Sequence, residues 1–299
     1  MSIKRSVVTI GVFDGVHIGH QAVIKKVVQR ARAIGAISVT ITFDPHPMTV
    51  LSPGHFVPSL ISLKHRIRII KDLGIDKVQV INFDKRIAKM SPEKFVKDIV
   101  AGRLNAKEIF VGEDFCFSKA AGADIKALKR IGGPAGLKVY SVKAVKRDGQ
   151  VISSSEIRRL VVAGRIKEAS ELLGRPFSIL GTVVSGAKLA RVLGYPTANI
   201  NPHHEAMPPS GVYAVKVKLN KRLFNGVMNI GVRPTFYDHG MEPEPSIEVH
   251  IFGFHGNIYG KDLEIVFVKR IRAEKKFNTI DSLIEQVRKD EKAAKRLLS

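Results

Sequence analysis

Cysteine is almost absent: Cys116 stands alone in 299 residues. One thiol cannot form an internal disulfide or build a Cys-rich zinc module, so a reducing compartment, the cytoplasm, is the expected location. Long apolar runs are missing as well. No stretch approaches the ~20 residues that span a bilayer, and the apolar stretch after Met1 to Arg5 is too short for a secretory signal, so no membrane partner is expected. Internal repeats and low-complexity segments are lacking. Acidic residues are scarce, with 27 Asp and Glu against 49 Lys and Arg, a net charge of +22 and a pI near 10.1. The excess is heavier in the first 180 residues but spread over both parts, with no polybasic tail. A dispersed surplus suits an enzyme of polyanionic nucleotides as well as it suits a nucleic-acid binder, and nucleic acid is not the expected partner. What is present is a globular composition, 44% hydrophobic and 25% charged, long enough for two domains of about 150 residues each.

The first part alternates β-branched runs with helical periodicities, which predicts a parallel α/β sheet. Strands are expected over Ser6 to Phe13, Ile37 to Phe43, Lys77 to Phe83, Glu108 to Val111 and Leu137 to Val142. Helices are expected over Gly19 to Ile34, Ser62 to Leu73, Ser91 to Ala101 and Ala123 to Ile131. After about residue 174, glycines and prolines punctuate short extended runs, which predicts a linker and then an all-β module. Its strands are expected over Val212 to Leu219, Leu223 to Ile230, Ile247 to Phe252 and Leu263 to Val268, with a terminal amphipathic helix over Thr279 to Leu297. Domain boundaries are accordingly set at 1–174 and 175–299.

GVFDGVHIGHQ, Gly11 to Gln21, leaves the first strand and opens the first helix. Gly11, Gly15 and Gly19 allow a ligand close to the backbone, and the helix start offers free N–H groups and a positive dipole end to phosphate. His17 and His20, three apart, suit the charge that builds on an attacked α-phosphate. Capping and packing is the plainer role for the pair. Further on, Ile152 to Arg158, ISSSEIR, places hydroxyls and an arginine at a helix start. That arrangement is a second phosphate clamp or, with Ser153 as cap and Glu156 three residues later, a capping box.

In the second part, Leu193 to Asn199, LGYPTAN, is a rigid turn feeding a strand, with Thr197 and Asn199 on one face. A hydroxyl and an amide oxygen suit Mg²⁺ shared with phosphates. A structural turn would use the same residues. In SIEVHIFGF, Ser246 to Phe254, Glu248 lies opposite the apolar Ile247, Val249 and Ile251. There it is either a solvated strand residue or a base for a hydroxyl attacking a γ-phosphate.

GVFDGVHIGHQ, TFDPHP (Thr42 to Pro47), VGEDFCFS (Val111 to Ser118) and ISSSEIR, in this order, resemble the adenylyltransferase module of bacterial bifunctional riboflavin kinase/FAD synthetases. GVYAV (Gly211 to Val215), MNIGVRPTF (Met228 to Phe236), SIEVHIFGF and RIRAEKKF (Arg270 to Phe277) resemble the riboflavin kinase module of the same family. The resemblance implies an α/β chain, with an N-terminal Rossmann-like nucleotidyltransferase domain and a C-terminal six-stranded antiparallel β-barrel. It implies that riboflavin and ATP give FMN, that FMN and a second ATP give FAD and pyrophosphate, and that both steps use Mg²⁺. It places Gly11, Phe13, Asp14, Gly15, Gly19, Ser153 and Ser154 at a nucleotide, with His17, His20 and Arg158 on its phosphates. Asp44, His46 and Asp114 are placed near flavin, Thr197 and Asn199 on Mg-ATP, Glu248 as base, and Arg272 and Glu274 in a flavin-side flap. Ser118 stands where the family commonly has Gly, and GAKLAR (186–191) replaces a Gly-rich stretch. The tetrapeptide His17 to His20, HIGH, with Lys89-Met90-Ser91, also resembles class I aminoacyl-tRNA synthetases, but Ser91, Pro92 and Glu93 read as a capped helix start. The oligomeric state is left open, a homo-oligomer included.

Overall fold

The computed structural model describes residues 4–52, 54, 58–116, 124–185, 195–203, 205–220, 222–232 and 245–299. The GAKLAR stretch, Phe117 and Ser118, and the end of the MNIGVRPTF motif lie outside the described residues. The chain divides into two compact units, Met1–Ile157 and Arg158–Ser299.

The first unit is built on five parallel strands: β1 (Ser6–Ile10), β2 (Ile37–Asp44), β3 (Lys77–Asn82), β4 (Ala106–Gly112) and β5 (Lys138–Val142), in the order β3-β2-β1-β4-β5. The β1 run SVVTI is buried throughout, as a central parallel strand requires, and its side chains feed two cores. Val7 packs with Ile24, Val27 and Val28 of α1 (Ile18–Ala33) and with Ile70 of α3 (Leu63–Asp72). Val8 and Ile10 face the other way, against β2, β4 and the segment 95–104. β1 is shorter than expected because the next residues leave extended geometry. Phe13, Gly15 and Val16 all have positive φ, and Asp14–Val16 forms a single 3₁₀ turn.

The expected helix from Ser91 differs in kind. Ser91 Oγ accepts from Lys94 N and caps the short α5 (Pro92–Lys94), after which Phe95–Arg103 winds as a π-helix. Gly102 permits it, since a Cβ there would lie 2.9 Å from the Lys97 carbonyl. The helix expected over Ala123 to Ile131 is α6 (Ile125–Gly132), capped by Asp124, and short elements without strong periodicity complete the unit: α2 (Pro47–Leu51), α4 (Lys85–Ala88) and the hairpin β6 (Lys146–Arg147) and β7 (Gln150–Val151). α7 (Ser154–Val162) carries the chain across the boundary between units, and α8 (Ile166–Leu173) follows.

The second unit is a closed antiparallel barrel. Its strands are β8 (Ser178–Val184), β9 (Ala198–Asn201), β10 (Gly211–Leu219), β11 (Arg222–Val232), β12 (Pro245–Ile251) and β13 (Asp262–Ala273), in the order β10-β11-β12-β9-β8-β13. β13 runs past the expected Val268 because it pairs with β10 along its length, absorbing two register shifts near Val212 and Ala214. The last helix, α9 (Ile280–Leu298), is capped by Thr279 and packs Ala294 and Leu298 on Ala214. Arg272 of β13 donates to both carboxylate oxygens of buried Asp290, at 2.7–3.0 Å, which ties α9 to the barrel.

Candidate active sites

The strand order of the first unit reverses beside β1, so the carboxyl ends of β1 and β4 flank the crevice where such sheets take ligands. His17 occupies the N-cap of α1, and its Nδ1 accepts from His20 N at 3.4 Å. The neutral His17 ring therefore carries its proton on Nε2. One turn on, the His20 ring stacks on His17 at 3.6 Å between centroids and meets the Phe13 ring edge-on at 5.2 Å. Burial, then His17, then Arg66 hold the His20 imidazole well below the ordinary 6.5, so it is uncharged at neutral pH.

The glycines fit this packing. A Cβ on Gly11 would lie 3.1 Å from the Phe13 ring, and one on Gly19 would lie 3.1 Å from His17 Cε1. Gly15 has φ 78°. Asp14 is buried and turned into the fold, its carboxylate accepting from Leu60 N at 2.8 Å. The second predicted clamp reaches the same turn, because Ser154 Oγ donates to Asp14 O at 2.8 Å. Ser153 Oγ accepts from Glu156 N, the expected capping bond, and Arg158 lies one turn further along α7. At the ends of neighbouring strands stand exposed Asp44, His46 capping α2, and Asp114, whose Oδ1 crowds the position of a Cβ on Gly112.

In the second unit, Glu248 of β12 pairs in register with Asn199 of β9, and Thr197 Oγ1 donates to Glu248 Oε2 at 3.0 Å. The three residues singled out in the sequence are thus together. Two cavities meet there, and Thr197 lines both. The larger, about 630 Å³, takes Asn199 in its wall. The other, about 320 Å³, is lined by Glu248, Arg272 and Glu274, with Leu283, Ile284 and Val287 of α9 as an apolar wall. Arg272 faces this cavity while paired with Asp290, and the Glu274 carboxylate lies against Gly231, where a Cβ would come within 2.7 Å of Oε1.

Residues 1–156 match the FAD synthetase family and residues 173–298 the riboflavin kinase family. The chain belongs to the bifunctional riboflavin kinase/FMN adenylyltransferase family. It is 40% identical over 298 residues to the bifunctional riboflavin kinase/FMN adenylyltransferase of Bacillus subtilis (strain 168), covering 99% of this chain and 93% of that one. The Pseudomonas fluorescens protein of the same name is 36% identical over 294 residues, covering 98% and 93%. For Escherichia coli (strain K12) the values are 33% over 290 residues, 97% and 91%. The solved structure of a macrolide-efflux protein from Streptococcus pneumoniae aligns with a TM-score of 0.84 at 31% identity, covering 99% of this chain and 95% of that one. Among the described residues no helix is long and apolar enough to cross a membrane.

For a bifunctional riboflavin kinase/FMN adenylyltransferase, two neighbours of the motifs stand out that the sequence did not mark. Arg66 of α3 is buried at 2% exposure, and its Nη1 donates to Val12 O, Thr42 Oγ1 and Phe43 O at 3.0–3.1 Å. It binds the carboxyl ends of β1 and β2 together beneath the histidine pair. His250, two residues beyond Glu248 on the same strand face, bonds Pro196 of the turn before β9. These bonds join residues 23 to 54 apart in sequence, which no local pattern announces.

Proposed function

We propose that the two activities of the family map onto these two clusters, with adenylyl transfer at the head of α1 and riboflavin phosphorylation where β9 meets β12. The chain makes FMN from riboflavin and ATP, and FAD from FMN and ATP. The observation that carries the reading is Thr197, which borders both barrel cavities and is hydrogen-bonded to Glu248. On this reading the larger cavity takes ATP, and the cavity walled by Leu283, Ile284 and Val287 takes the planar apolar flavin ring. The ribityl 5′-hydroxyl then sits beside Glu248. Its oxygen attacks the γ-phosphorus, the bond to ADP breaks, and the hydroxyl proton passes to the Glu248 carboxylate.

Thr197 Oγ1 donates its hydrogen bond to Glu248, which leaves the hydroxyl lone pairs, with the amide oxygen of Asn199, as hard donors suited to Mg²⁺. Bound there, the ion would offset phosphate charge.

In the first unit, an FMN phosphate oxygen attacks the α-phosphorus of ATP and pyrophosphate leaves. His17 and the uncharged His20 serve as N–H donors to the oxygens on which charge builds, while Ser153 and Ser154 hold the remaining phosphates; Arg158, the next turn of α7, is kept as a phosphate ligand on the family resemblance alone. Gly11, Phe13, Asp14, Gly15 and Gly19 shape the loop, and Asp44, His46 and Asp114 border the flavin. Domain limits of 1–174 and 175–299 and a cytoplasmic location complete the proposal. Glu248→Ala is expected to abolish FMN formation while FAD still forms from supplied FMN, and His20→Ala to do the reverse. Loss of both activities in one folded variant would contradict the assignment.

A further inference from the structure

Among the described residues, Tyr195, Pro196 and Thr197 before β9 take part in no strand pair. Among the described residues the ladder between β9 and β12 consists of Glu248 against Asn199 and Val249 against Ala198. The next pair in register would be His250 against Thr197, and there the ladder stops. The His250 side chain supplies the missing tie instead, with Nδ1 2.8 Å from Pro196 O. A carbonyl oxygen only accepts, so Nδ1 is the protonated nitrogen. Pro196 has no N–H, and this carbonyl is all the hydrogen-bonding capacity its backbone has. The ring is also set edge-on to Tyr195 and tilted against Phe252, both at 5.7 Å between centroids. Three neighbours therefore fix its plane. Its position matters because Thr197, the next residue after Pro196, is the one that reaches both cavities and Glu248.

We propose that His250 is a positioning residue for riboflavin phosphorylation, its Nδ1–H bond to Pro196 O holding the turn so that Thr197 stays on Glu248. The inference rests on Glu248 and Thr197 being the kinase site, and that reading is tested separately by Glu248→Ala. The donor is needed, not merely a ring. An asparagine at 250 can offer its amide N–H at the place of Nδ1, a glutamine offers it too far out, and a phenylalanine keeps the ring without a donor.

The test measures kcat and KM for riboflavin phosphorylation in the full chain for His250→Ala, Asn, Gln and Phe, with FAD formation from supplied FMN as the control for folding. Misplacing a reacting group by about 1 Å costs on the order of 100-fold in rate, and a 10- to 100-fold loss, mainly in kcat, is expected for Ala, Gln and Phe. Asn is expected to recover most of it, and adenylylation to stay unchanged in all four. A Phe variant as fast as the wild type, or an Asn variant no faster than Ala, would overturn the proposal. Kinase activity surviving in Glu248→Ala would instead overturn the site reading beneath it.

Discussion

His20 is an imidazole held uncharged beside another imidazole and a buried arginine, at the head of α1. Such a group donates a hydrogen bond to developing negative charge without the desolvation cost of an imidazolium. The same burial has a consequence for stability. Below the ordinary value of 6.5 the unfolded chain takes up a proton at His20 that the folded chain refuses, so folding is progressively disfavoured as pH falls toward the depressed folded value. Urea midpoints of wild type and His20→Gln, compared between about pH 7 and pH 5, should show a downward slope that is shallower in the variant. Equal slopes would remove the depressed titration. Removing one such donor typically costs about 100- to 1,000-fold in rate, and His20→Ala should lose at least that much adenylyl transfer with riboflavin phosphorylation intact. His17, His20, Thr197 and Glu248 were legible in the sequence because their neighbours form compact local motifs. Arg66 and His250 were not, because their partners lie 23 to 54 residues away and are brought to them only by the fold.

At the scale of elements, β9 brings Thr197 and Asn199 to Glu248 and is held between β12 and β8, while α9 walls the smaller cavity and is held by its packing on Ala214 and by the Arg272–Asp290 pair. Gly181 of β8 lies so close to β9 that a Cβ would sit 2.3 Å from Ile200 Cγ2 and 2.6 Å from Asn201 O. Gly181→Ala must therefore push β9 away, carrying Thr197 and Asn199 with it. A loss of about 2 kcal/mol or more is expected from this overpacking, read as kinase activity lost at a lower temperature than adenylyltransferase activity. α9 depends on the Arg272–Asp290 pair, supported by Gln286 at 2.9 Å. Asp290→Ala leaves a mostly buried guanidinium without its carboxylate, expected to cost about 2–4 kcal/mol and to weaken riboflavin binding, measurable as a raised KM. The parallel strands were readable because runs such as SVVTI and ISVTITF are β-branched and flanked by caps and glycines. The π-helix after Lys94 was not. Its winding is set by the approach of Gly102 to Lys97, and the same apolar spacing fits an α-helix equally well. β8 and α8 went unmarked for another reason: they fall beside the boundary, where punctuation by Gly174 and Pro176 reads as linker.

The whole molecule joins two chemistries that share a product and a substrate, FMN, and share ATP. Each unit has its own core and its own cluster of polar residues, and if the two activities divide between them, one can be destroyed without touching the other. The charge of +22 is far more than two nucleotide sites require, since a few cationic groups suffice to hold a triphosphate. The direct test of two separate sites is complementation in solution. His20→Ala and Glu248→Ala, each confirmed folded, are incubated with riboflavin and Mg-ATP, alone and mixed, and FMN and FAD are followed by chromatography. The account predicts FMN only from the first, neither product from the second, and FMN followed by FAD from the mixture. FAD from either variant alone, or no FAD from the mixture, would contradict it.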